Sequence, residues 1–118
     1  MFVVLLTYLG CSLLPSASGD WEGTCKASGY EYDFELDIDD EGGDLTGDAN
    51  LSLSGYSFSG DVEGDFDGSE VDLDVELQSS GYTIQGSFEG EVDGDTLEGQ
   101  MVLSNSGYTA TFDCELER

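Results

Sequence analysis

The chain lacks most of what covalent catalysis needs. Its 118 residues include no histidine, so neither a Ser-His-Asp nor a Cys-His arrangement can be assembled, and no histidine metal site exists. What it holds in abundance is carboxylate: 27 acidic residues stand against Lys26 and Arg118, a formal net charge of -25. Paired carboxylates hydrolyse glycosides, but a working pair needs one member desolvated to raise its pKa. Every acid here falls in a turn or on the polar side of an alternating pattern, so the sequence reads as a non-enzyme. Ca2+ is the cofactor the acids suit best, because it takes about six to eight oxygen ligands and tolerates irregular sites. Asp39, Asp40, Glu41 and Asp44, within the segment DDEGGD, are the candidate ligands. Their spacing is not that of an EF-hand, and the competing reading is a solvated turn with diffuse counterions. Nucleic acid and anionic membrane surfaces are excluded as partners by repulsion.

Cysteine is the other reactive type, and its reading depends on the N-terminal segment. Met1 to Leu14, MFVVLLTYLGCSLL, is apolar but shorter than the about 20 residues that span a bilayer as a helix. It reads as a signal segment with two alternative endings. One is peptidase cleavage near Ser16-Ala17-Ser18, which discards Cys11. The other is lipidation, since Leu9-Gly10-Cys11-Ser12 resembles the lipobox of bacterial lipoproteins. Residues 1–19 are thus a leader with a short linker, and residues 20–118 the folded domain. The destination is extracytoplasmic, either secreted or periplasmic, or lipid-anchored to the outer membrane with Cys11 as the only tie to a membrane. Either ending leaves Cys25 and Cys114, an even pair in an oxidising compartment. A disulfide between them is the expectation, with two isolated thiols as the alternative.

The scaffold for these groups is written as a repeat. Ser-Gly-Tyr recurs at Ser28-Gly29-Tyr30, Ser54-Gly55-Tyr56, Ser80-Gly81-Tyr82 and Ser106-Gly107-Tyr108, always 26 residues apart. Around each copy the chain alternates with period two, the mark of a strand with one buried and one wet face. Tyr30, Tyr32, Phe34, Leu36 and Ile38 share one side, with Glu31, Asp33, Glu35, Asp37 and Asp39 on the other. Turn signals delimit eight strands, at about 21–27, 30–39, 45–53, 56–67, 70–79, 82–93, 96–105 and 108–117, and only Asp39 to Asp44 reads as a longer connection.

The fold class is therefore all-β, an eight-stranded antiparallel up-and-down meander that closes into a barrel built from the 26-residue hairpin repeat. Closure hides both edges and brings the strands of Cys25 and Cys114 together. The alternative is a β-solenoid with one coil per repeat, which holds the two cysteines far apart. A transmembrane barrel is excluded, because its outside would be the apolar side.

Inside such a barrel, Gly23, Gly47, Gly60, Gly64, Gly86, Gly90 and Gly99 interleave with Phe58, Phe66, Phe88, Phe112 and the tyrosines. Small beside large either bends the strands over a packed core or clears a pocket. The inner face is apolar apart from tyrosine hydroxyls, Ser79 and Asn105. A ligand held there is therefore small and hydrophobic, with Tyr30, Tyr56, Tyr82 and Tyr108 as its contacts at the Ser-Gly-Tyr end. Trp21-Glu22-Gly23 ahead of an eight-stranded meander is similar to the calycin barrels, meaning the avidin, lipocalin and fatty-acid-binding families. It also resembles lipocalin-like barrels of small bacterial lipoproteins. That resemblance implies small-molecule binding in the barrel mouth. Biotin is rejected, since Trp21 is the only tryptophan. Two roles compete: an exported barrel that binds a small hydrophobic ligand or serves as a structural envelope module, and an interaction protein. The second would use the acidic outer face, particularly Glu31 to Asp39 and Asp61 to Glu76, to recognise a basic protein or cations.

Overall fold

The computed structural model describes residues 16–53, 55–105 and 107–118. Eight strands follow one another: β1 (Gly19–Ala27), β2 (Tyr30–Glu41), β3 (Asp44–Leu53), β4 (Tyr56–Phe66), β5 (Glu70–Ser79), β6 (Tyr82–Asp93), β7 (Thr96–Asn105) and β8 (Tyr108–Glu117). Each pairs antiparallel with its neighbour, and β8 pairs back onto β1 to close the barrel. The solenoid is not the fold. Closure follows from the alternation: a sheet greasy on one side only must cover that side, and curling the meander on itself also gives the first and last strands a partner in each other.

Two-residue turns hold the hairpins. Ser28 and Gly29, like Ser80 and Gly81, all have positive φ, the type I′ condition whose twist matches that of the flanking strands. One connection is shorter than the sequence suggests. Glu41 pairs with Asp44, so DDEGGD is no loop: only Gly42 and Gly43 turn, at φ of 63° and 100°, and the acids on either side extend the two strands.

The pairing is staggered. Gly19 pairs with Ile38, and the row passes through Gly47, Val62, Val75, Gly86 and Leu103 to Ala110. With Glu22 facing Glu117 across the closing seam, Ala110 falls level with position 29, ten residues beyond Gly19. Such a stagger tilts the strands by roughly 40° and leaves a bore that side chains can fill. They do fill it. Trp21, Phe34, Leu51, Leu73, Leu77, Phe88, Leu97 and Met101 are all 0% exposed, and a void able to admit water would register as exposure on the residues lining it. Phe34 of β2 meets Phe88 of β6 across the bore with ring centroids 6.5 Å apart, and each such side chain contributes on the order of 2 kcal/mol by burial. Among the described residues no buried side chain is polar or charged.

Candidate functional site

The four repeat tyrosines keep inward parity, yet the strands carry them past the end of the core. Tyr30, Tyr56, Tyr82 and Tyr108 are 65, 69, 66 and 83% exposed. The inward placement expected for them is thus corrected: they rim one end of the barrel instead of lining its interior. Beneath them Ala27, Tyr32, Phe58 and Ile84 are half-buried against the core, and Tyr32 meets Phe112 edge-on at 5.6 Å.

The opposite end is closed by residues whose role the sequence did not announce. Ala17 is fully buried. Its N–H donates to Asp40 Oδ2 at 3.0 Å, and its carbonyl accepts from Trp21 Nε1 at 2.8 Å. Asp40 Oδ1 accepts from the Gly43 N–H at 2.9 Å. Both oxygens of Asp40 therefore serve backbone groups, while Asp39, Glu41 and Asp44 face solvent. Among the described residues no three acid or cysteine side chains are grouped as a metal site would require, so the structure does not gather the proposed Ca2+ ligands.

Arg118 completes this closure. Its guanidinium lies 4.5 Å from the Trp21 ring and donates to the carbonyls of Ser16, Ser18 and Gly94 at 2.8–2.9 Å, with Nε on Asp95 Oδ1 at 3.2 Å. No periodicity could mark a single basic residue at this position. Arg118→Ala is expected to lower the unfolding free energy by about 1–2 kcal/mol, since a partly exposed cation–π contact with the buried Trp21 ring and several charge-assisted hydrogen bonds go together. Arg118→Lys should recover less than half of that, because an ammonium cannot fork between carbonyls. Urea titration of the three proteins measures it.

The sulfurs of Cys25 and Cys114 are bonded, with Cα atoms 4.0 Å apart on directly paired residues of β1 and β8. Cys11 lies outside the described residues.

The outer wall carries the charge in rows that follow the pairing. One row runs Asp20, Asp37, Asp48, Asp61, Glu76, Gln85, Ser104, Thr109; another runs Glu70, Glu91, Glu98, Glu115, Thr24, Asp33, Ser52, Ser57. Each begins in carboxylates at the Ala17 end and finishes in hydroxyls or amides at the tyrosine end. Shallow grooves between the strands are lined by Asp61, Glu63, Asp74 and Glu76, and by Asp20, Glu22, Glu35, Asp37 and Asp48. Like charges placed directly across a strand pair destabilise. Asp37 shows the cost: its pKa is raised, first by the charge of Asp20 and then by desolvation, with Asp39 and Asp48 adding. Asp67 is shifted the other way, lowered by N–H donation from Glu70 and Ser69.

The signs separate. Asp37 binds its proton more tightly folded than unfolded, so acidification from neutrality relieves it and favours folding. Asp67 contributes above the ordinary aspartate range, a contribution lost as pH falls toward its depressed value. Stability should therefore rise as pH drops toward the ordinary aspartate value and fall below it. Asp37→Asn should raise the neutral-pH melting temperature, and about 1 M NaCl should do the same by screening the wall. Thermal melts that are flat in salt and unmoved by the substitution would contradict this.

A scan against protein-family models and a search of curated proteins return no match to this chain.

Proposed function

We propose that the protein is an exported, calycin-like barrel that acts through its exterior, its acidic wall engaging cations or a basic partner, and not by enclosing a hydrophobic ligand. The observation that carries this is the packed bore. With Trp21, Phe34, Phe88 and Met101 fully buried along it, a ligand could enter only by displacing the core, at a cost of several kcal/mol. The wall, by contrast, offers many carboxylates and only Lys26 and Arg118 to neutralise them. Lys26 pairs weakly with Glu31 at 3.8 Å on the surface, and Arg118 is engaged at the closed end. A dense single-sign surface attracts polycations strongly at low ionic strength.

The disulfide is consistent with an oxidising compartment. The burial of Ala17 favours a processing event that retains it, such as lipidation at Cys11, over cleavage beyond it.

The test is a pair of titrations, one with fluorescent oligolysine and one with cis-parinaric acid as an apolar probe. Oligolysine should bind with an affinity that drops steeply with salt, and the apolar probe should not saturate. Saturable, salt-insensitive uptake of one apolar probe per barrel, with no oligolysine binding, would overturn the proposal.

A further inference from the structure

The barrel is chemically polarised along its axis, and the tyrosine end is the exception to everything else about the protein. Residues 52–59, 78–85 and 104–111, the arms of three Ser-Gly-Tyr hairpins, contain no charged residue, and residues 26–31 contain only Lys26 and Glu31, which pair with each other. A chain of net charge -25 thus ends in a neutral cap of tyrosine, serine, threonine and glutamine. The four exposed rings sit at the starts of β2, β4, β6 and β8, every second strand around the wall.

We infer that this cap is a binding surface for an uncharged polysaccharide, the tyrosine rings stacking on the apolar C–H faces of successive sugars. Three properties favour that occupant. Charge is the first: around Tyr56, Tyr82 and Tyr108 a neutral hydroxylated polymer meets no carboxylate that must be desolvated, and beside Tyr30 it meets only Glu31, which is paired with Lys26, while the side hydroxyls of Ser57, Thr83 and Thr109 match sugar hydroxyls. Repetition is the second. Four near-identical ring sites recur around one circle, and a wall of eight strands at ~4.8 Å spacing sets them roughly 11 Å apart. Weak identical sites gain affinity together only on a ligand that is itself repetitive.

Area is the third. The end of such a barrel presents on the order of 500 Å², below the ~800 Å² per partner of a stable protein interface, so a second copy or a folded partner is poorly served, whereas a polymer strand is not. The cap also lies at the opposite end of the barrel from Ser16, whose carbonyl accepts from Arg118. This surface is distinct from the acidic wall, and its binding should not depend on ionic strength.

Native gel electrophoresis of the whole protein, in gels cast with hydroxyethylcellulose, laminarin, glycogen or mannan, tests this. The negative charge drives migration, and binding to an immobile neutral polymer retards it. Retardation is expected in at least one gel, undiminished by added salt. Tyr56→Ser with Tyr108→Ser should weaken it about ten-fold or more with an unchanged urea midpoint, because both rings are exposed. No retardation in any gel would overturn the inference, as would retardation that the double variant leaves intact. Flotation with phosphatidylcholine vesicles, or a dimer in sedimentation that the double variant abolishes, would assign the cap to a membrane or to self-association instead.

Discussion

Gly60→Ala should destabilise the barrel by about 2–4 kcal/mol, although it adds a single methyl to an apolar interior. An ideal Cβ at Gly60 would run into the backbone carbonyl of Glu76 and stand 3.0 Å from the Leu77 Cα, both on β5. The space a side chain would need is occupied by the neighbouring strand, folded over it where the wall coils sharply. Gly86 has the same relation to Val102 and Leu103 of β7. This result discriminates between the two meanings of inward glycine. If these positions cleared a ligand pocket, alanine would fill empty space and be neutral or stabilising. If they admit backbone, alanine forces β4 and β5 apart. Ser59→Ala, next in the chain but exposed, should change stability by less than ~0.5 kcal/mol. Urea midpoints of the two variants make the comparison.

Replacing both cysteines, Cys25→Ala with Cys114→Ala, should remove about 3–4.5 kcal/mol. The bridge spans 89 residues, and on the chain-entropy model a cross-link of that length removes close to the upper figure from the unfolded state. Location adds to the effect. The β1–β8 seam holds five residue pairs, Glu22–Glu117 to Lys26–Asp113, where β3–β4 and β7–β8 hold ten. The seam also opposes Glu22 to Glu117, a like-charged pair. In hydrogen exchange the amides of β1 and β8 should lose protection first in the double variant, with β3 to β6 retaining theirs. Uniform loss across all strands, or none, would show that the disulfide does not guard this seam.

The fold was legible because it rests on signals that survive without tertiary knowledge. Period-two alternation in segments such as Val71 to Leu77 assigns each residue to a side, and the 26-residue return of Ser-Gly-Tyr sets hairpin length. Cys25 and Cys114 marked which strands must meet. Parity could not say how far along the axis the core extends, so the rim tyrosines, which share the parity of Phe34 and Leu36, were placed inside. The same limit hid Asp40, whose inward position at the far end serves backbone N–H groups of Ala17 and Gly43, and it let DDEGGD read as a loop. Arg118 was invisible for a different reason: its partners come from positions 16, 18, 94 and 95, contacts that no local pattern encodes. The glycines were ambiguous in sequence and became decisive only once the carbonyls of adjacent strands were in place.

A crystal structure of the protein purified without delipidation is the most direct test of a bore closed by its own side chains. It should show Phe34 and Phe88 in contact across the barrel axis, the Cys25–Cys114 bridge joining β1 to β8, and no solvent or foreign density between them. Continuous density of a bound molecule along the axis, with those two rings swung apart, would contradict the account.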